Sequence, residues 1–293
     1  MTTERVQDSG PFDRSDAAAE ASGRRRLRIL LSAFACGPGD EPEANAGWGY
    51  ATAAARDHDV WVITRKRFAP AIRAALDANP ELAAHLHVSH IDFSDRALAR
   101  KPRRWAVYWR YSKWQRLLAR EAPRLHAEIG FDVAHHVTWA NDWLPCGLGS
   151  LRDVPLIWGP VGGASARVPL RRLGRWLGWQ GVAYEIARQA GTAVPRRIWG
   201  DRMARRSSLV IAQNADVARR FQHAHRVVVE PNVALTPTRE PVAETGPERE
   251  AGRAIYVGRL IGLKLPRLAL DAIARTATWK LDLYGAGGGR RDL

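Results

Sequence analysis

Short apolar runs and stretches of helical period alternate along most of this chain. The first run, Arg28-Ile-Leu-Leu-Ser-Ala-Phe-Ala35, has the length and character of a buried strand. Residues 60–64, 86–91, 131–137, 154–158, 208–213 and 226–230 repeat that character. Between them lie segments of helical period or propensity at 49–56, 69–79, 102–121 and 184–203. Strand and helix in alternation predict an α/β protein built on a doubly wound parallel sheet. The alternation restarts near the end, with strand 254–257, helix 266–275 and strand 280–284, and predicts the start of a second parallel-sheet domain.

Composition sets the boundaries between these units. Residues 1–26 are polar, mixed in charge and rich in small side chains, and predict a disordered tail with no signal-peptide core. Residues 234–252 are rich in Thr, Pro and Glu and read as a linker, which divides the chain into domains 27–233 and 253–293. Forty-six per cent of the 293 residues are apolar, enough for real cores. The 45 Lys and Arg outnumber the 30 Asp and Glu, for a net charge of +15 that favours an anionic partner. A GC-rich genome explains such an arginine excess equally well. With only Cys36 and Cys146, and no metal-type spacing, reduced thiols in the cytosol are expected.

The candidate chemistry falls where strands end. The loop Cys36-Gly-Pro-Gly-Asp-Glu-Pro-Glu-Ala-Asn-Ala-Gly47-Trp-Gly49 follows the first strand, where parallel sheets place ligands. Gly47 and Gly49 would admit a substrate to a helix N-terminus, although a plain flexible turn reads the same way. The loop is not Gly-x-Gly-x-x-Gly, which argues against a dinucleotide cofactor. His135 and His136 end another strand, and alternation allows only one of them to face a given site. That imidazole could bond a sugar hydroxyl or be purely structural; no third ligand stands near, so no metal is expected. Gly159-Pro-Val-Gly162-Gly163 ends a further strand, either as a ligand loop or as a tight turn. In the second unit Val257 runs into Gly258, with Arg259 and Lys264 just beyond, which suits the phosphates of a nucleotide. Gly285-Ala-Gly-Gly-Gly289 repeats the theme weakly. The aromatic, basic helix 103–120 predicts either peripheral contact with an anionic membrane or ordinary packing of its aromatic face on the sheet.

Taken together, these segments resemble the family 4 retaining glycosyltransferases of the two-domain GT-B type, above all bacterial members that build surface polysaccharides. The likeness runs through Leu31-Ser-Ala-Phe-Ala-Cys-Gly-Pro38, Glu41-Pro42, Gly47-Trp-Gly49, Val60-Trp-Val-Ile-Thr-Arg65, Asp132-Val-Ala-His-His-Val-Thr138, Pro155-Leu-Ile-Trp-Gly-Pro-Val-Gly-Gly163 and Val257-Gly-Arg-Leu260 with Lys264. It implies two Rossmann-like domains, the second incomplete. The implied reaction moves a sugar from a nucleotide-sugar to a glycan or lipid-linked acceptor, with retention and without a metal or other cofactor. Arg259 and Lys264, with Gly258, match the donor-diphosphate grip. Gly47, Gly49, Gly162 and Gly163 match the acceptor-side glycine loops, and His135, or alternatively His136, matches the catalytic histidine. A cytoplasmic place is expected from the reduced thiols, and a position at the inner face of the membrane is the expectation attached to helix 103–120.

The chain also departs from that pattern. Leu265 stands where the family usually has glycine, and the family's pair of second-domain glutamates falls beyond position 293. The expectation is therefore a truncated product with little or no transferase activity. The competing readings are a non-catalytic basic module that binds acidic lipid or glycan and, less favoured because no binding motif occurs, a nucleic-acid-binding protein.

Overall fold

The computed structural model describes residues 25–39, 41–93, 106–163, 168–232, 252–276 and 278–287. Most of the predicted tail, all of the predicted linker but Gly252, and positions 103–105 of the aromatic helix lie outside the described residues.

Seven strands form one parallel sheet: β1 Arg28–Ser32, β2 Asp59–Thr64, β3 Leu86–His90, β4 Val133–His136, β5 Leu156–Val161, β6 Leu209–Ala212 and β7 Val227–Val229. Their spatial order is β3-β2-β1-β4-β5-β6-β7. The chain thus winds outward from β1 in one direction and from β4 in the other, the doubly wound, Rossmann-like arrangement of an α/β protein. Ligand crevices in such sheets open at the carboxyl ends of the strands beside this reversal. The connections are made by α1 Pro42–Asp57, α2 Ala69–Asp77, α3 Pro80–His85, α4 Ala106–Ile129, α5 Leu170–Pro195, α6 Asp201–Arg206 and α7 Ala215–Arg220.

Alternation along β1 explains why the sheet is covered on both faces. Leu30 packs with Phe34, Tyr111, Trp114, Leu118 and Trp158 under α4. Its neighbour Leu31 points the other way, against Ala51, Ala55, Val60 and Val62 under α1. The aromatic face of α4 is therefore a core face: Tyr111, Trp114 and Leu118 are buried, and only Trp109 and Tyr108 are left exposed. Lys113 Nζ sits 3.7 Å from the Trp109 ring centroid.

Two helices begin earlier than the sequence pattern indicates. α1 starts at Pro42, so Gly47 and Gly49 lie inside a helix and not in the loop ahead of it. The signals were Pro at the first helical position and Glu43 in the first turn, masked by a composition typical of loops. α5 starts at Leu170, not at 184, and takes in residues 170–183, which are rich in Arg, Trp and Gly. It bends at Gly178 (φ 68°, ψ 169°), a conformation closed to other residues, and runs through a π turn, Arg196–Gly200, into α6.

The second unit is smaller among the described residues. β8 Arg253–Val257 pairs in parallel with β9 Lys280–Tyr284, joined by α8 Pro266–Ala274. It rests on α5: Trp176 Nε1 donates to Asp271 Oδ2 at 3.2 Å, and Arg175 pairs with the same carboxylate at 3.4 Å. Leu265 ends the short turn Gly262–Lys264 in the left-handed region (φ 51°, ψ 47°). Leu265 is thus a leucine held in a backbone conformation that favours glycine. Leu265→Gly is expected to be more stable than Leu265→Ala by about 1 kcal/mol, the reverse of the usual order, read from paired urea melts. Alanine equal to or better than glycine would contradict this backbone assignment.

Candidate active site

The carboxyl ends of β1, β4 and β5 meet where the strand order reverses. His135 and His136 stand there on opposite faces, as strand alternation requires. His136 is fully buried on the α4 face. Its Nε2 lies 2.8 Å from the Tyr111 hydroxyl and 3.5 Å from Gln115 Nε2, and its Nδ1 lies 3.1 Å from Ser32 Oγ. Gln115 Oε1 accepts the Gly147 N–H at 2.6 Å, which turns the amide NH2 group toward His136. The network therefore assigns a bare Nε2 that accepts from Tyr111 and a protonated Nδ1 that donates to Ser32. Burial, with neighbouring His135, pushes the His136 pKa down to about 3.

His135 occupies the α1 face. Its Nε2 donates to the Gly159 carbonyl at 2.8 Å, and its ring meets the edge of Tyr50 at a centroid distance of 5.5 Å. Burial lowers its pKa to about 4, so it is a neutral imidazole at physiological pH. Tyr50, one residue after Gly49, has its hydroxyl pKa raised by burial and by the charge of Glu230 beyond β7. Tyr50 and Glu230 were not singled out in the sequence. Tyr50 reaches His135 from α1, and Glu230 bears on this corner only through its charge on Tyr50.

The glycines do different work. A Cβ on Gly47 would come within 2.3 Å of the Ala35 carbonyl, so this glycine allows α1 to cross the end of β1 closely. A Cβ on Gly49 would meet nothing within 4 Å, so this glycine borders open space. Gly162 pairs with Asn141 across the β4–β5 loops. Gly163, at φ +114°, leaves no room for a side chain beside Asn141 and Asp142. Arg65, at the end of β2, donates from Nε to the Phe34 carbonyl at 2.5 Å with its guanidinium 3.9 Å over the Phe34 ring. Its pKa is lowered to about 10 by burial first, leaving a half-enclosed cation at the mouth of the sheet.

Gly258, Arg259 and Lys264 sit in the second unit. Gly258 N–H donates to the Tyr284 carbonyl at 2.9 Å, so the glycine continues the β8–β9 ladder. The Tyr256 hydroxyl donates to the Lys264 carbonyl at 3.1 Å, which draws the lysine turn back onto the end of β8. Both cationic side chains are exposed. Among the described residues no hydrogen bond or ion pair joins them to His135. No group of three or more His, Cys, Asp or Glu side chains there is placed to hold a metal ion.

No protein-family model matches the chain, and no curated protein matches it in sequence. Among solved structures it is similar to UGT73P12 of Glycyrrhiza uralensis complexed with glycyrrhetinic acid 3-O-monoglucuronide, at 12% identity and a TM-score of 0.42. The match covers 71% of this chain and 49% of that one, so this chain spans about half the length of that protein. At this level the likeness bears on neither reaction nor residues.

Proposed function

We propose that this chain belongs to a GT-B glycosyltransferase of the family 4, retaining type, and that it takes part in moving a sugar from a nucleotide-diphosphate-sugar to a glycan or lipid-linked acceptor. The observation that carries the reading is a pairing of two parts. One is a doubly wound sheet with a neutral histidine at its switch point. The other is a second parallel unit whose first strand runs into Gly258, Arg259 and Lys264.

In this reading residues 27–233 hold the acceptor and the unit from 253 onward holds the donor. The leaving nucleotide gains negative charge as the anomeric carbon becomes oxocarbenium-like, and Arg259 and Lys264 offset that charge without a metal. His135, donating through Nε2 to Gly159, keeps Nδ1 as an acceptor for a sugar hydroxyl. The open space beside Gly49 lets the acceptor approach that nitrogen. His136 supports the strand end from behind.

Isothermal titration with uridine and guanosine diphosphates tests the donor half directly. Arg259→Ala and Lys264→Ala together are expected to weaken nucleotide diphosphate binding at least tenfold, on the order of 1.4 kcal/mol or more. Binding of both diphosphates left unchanged by the double substitution would remove these two cations from the donor site.

A further inference from the structure

Over residues 183–199 the last turns of α5 and the π turn are inverted with respect to solvent. The large side chains pointing outward are Tyr184, Ile186, Val194, Ile198 and Trp199, separated by exposed alanines and a glycine. Ile186 is 56% and Val194 64% exposed. The polar side chains turn inward: Glu185, Thr192 and Arg196 are buried. Glu185 is held there by Arg188 at 2.6 Å, by Gln189 at 2.6 Å and by the Val168 N–H at 3.4 Å. A surface helix of a soluble protein carries the opposite arrangement.

The charges around this face select its occupant. Between positions 154 and 200 the single acid, Glu185, is buried with Arg188 and Arg196 turned toward the interior, and four arginines, Arg171, Arg172, Arg175 and Arg197, are exposed. Arg171 and Arg172 lie ahead of the apolar face beside Arg175, which pairs with Asp271; Arg197 stands within it, and Arg202 and Arg205 follow it. Trp179, 78% exposed, and Trp199 mark its two ends. Beside Val194 a cavity is lined by Arg196, Arg197, Asp201 and Arg220, with Arg220 paired to Asp201. A second copy docking through this face would bring like-charged arginines together. An anionic surface would neutralise them while covering the apolar side chains. Among the described residues no helix is long and apolar enough to cross a membrane.

We infer that residues 183–199 form a peripheral docking face for a bilayer of anionic phospholipid, with Ile186, Val194 and Ile198 in the acyl boundary, Trp179 and Trp199 at headgroup level, and the flanking arginines on lipid phosphates. This assignment stands on the surface alone and does not depend on the sugar-transfer reading. It also moves the membrane contact from α4, whose Tyr111, Trp114 and Leu118 are spent in the core, to α5.

Co-sedimentation of the full chain with neutral phosphatidylcholine vesicles, and with vesicles containing phosphatidylglycerol, tests it. Binding to the anionic vesicles is expected to be at least about tenfold stronger and to weaken with salt. The triple variant Ile186→Glu, Val194→Glu, Ile198→Glu is expected to abolish it, whereas Trp109→Ala on α4 leaves it unchanged. Equal partition into both vesicles, no binding to either, or full binding by the triple variant overturns the inference. So does a concentration-dependent dimer, seen by light scattering, that the triple variant loses without any vesicle binding. Should the triple variant misfold by circular dichroism, quenching of wild-type tryptophan emission by brominated anionic lipid decides the matter. Quenching reduced in Trp199→Phe supports the face, and no quenching in the wild type refutes it.

Discussion

Acidification from pH 7 to pH 5 is expected to remove on the order of 4 kcal/mol of stability, because two imidazoles at the end of β4, His136 buried and His135 half-buried, are held neutral. In the folded chain His135 titrates only near about 4 and His136 near about 3. In the unfolded chain both take up a proton near the ordinary histidine value of about 6.5. Between those limits the unfolded state binds more protons, so stability is fully present above pH ~6.5 and falls by about 1.4 kcal/mol per pH unit for each imidazole. Protonating His136 would set an N–H against the Gln115 amide and break the bond it accepts from Tyr111. The carboxylates held below their ordinary range, Asp59, Asp132 and Glu185, lose their contribution only at lower pH, so the two windows separate. Urea midpoints at pH 7.5, 6 and 5 measure the slope. His136→Gln should lower stability at neutral pH yet flatten the slope by about half. A wild-type midpoint that does not move between pH 7 and 5 would show that these imidazoles are not enclosed as described.

Gly159→Ala is expected to cost roughly 3–5 kcal/mol and to deprive His135 of its partner in those molecules that still fold. The residue sits in β5 at φ +133°, and a Cβ there would lie 2.1 Å from the Ile211 carbonyl on the neighbouring strand. The obstacle is backbone, so no side-chain rearrangement relieves it. Its carbonyl is the acceptor that fixes the His135 ring, and a shift of β5 away from β6 would free that ring. Thermal unfolding and the His135 ring resonances report the two effects separately. An alanine variant with wild-type melting would place this stretch of β5 elsewhere. Gly49→Ala provides the contrast, since its side chain would enter open space.

Much of this architecture is legible in the residues. Apolar runs such as those of β1 and β2 announce strands because a sheet covered on both faces needs apolar side chains on both. The two histidines sorted by alternation onto opposite faces, and the glycine ending β8 marks the turn toward Arg259. What escaped has physical reasons. Gly47 reads as a loop residue because its use inside α1 depends on how closely the end of β1 passes, a tertiary distance. The stretch from Leu170 reads as irregular because Gly174, Gly178 and Gly181 depress helix propensity, while the packing of Trp176 and Leu177 against neighbouring parts restores the helix. The helical period of residues 183–199 is visible, but its direction is not. Only the interior bonds of Glu185 reveal which side faces the protein.

The bend of α5 at Gly178 has a mechanical meaning. Ahead of it, Trp176 and Arg175 grip Asp271 of α8; behind it run the apolar turns that end at Trp199. One backbone hinge thus joins the unit carrying Arg259 and Lys264 to the lipid-facing end of the helix. A residue with a side chain at that hinge would straighten the lever and swing one end away from its seat, so the placing of the apolar turns relative to the second unit depends on a single pair of torsion angles.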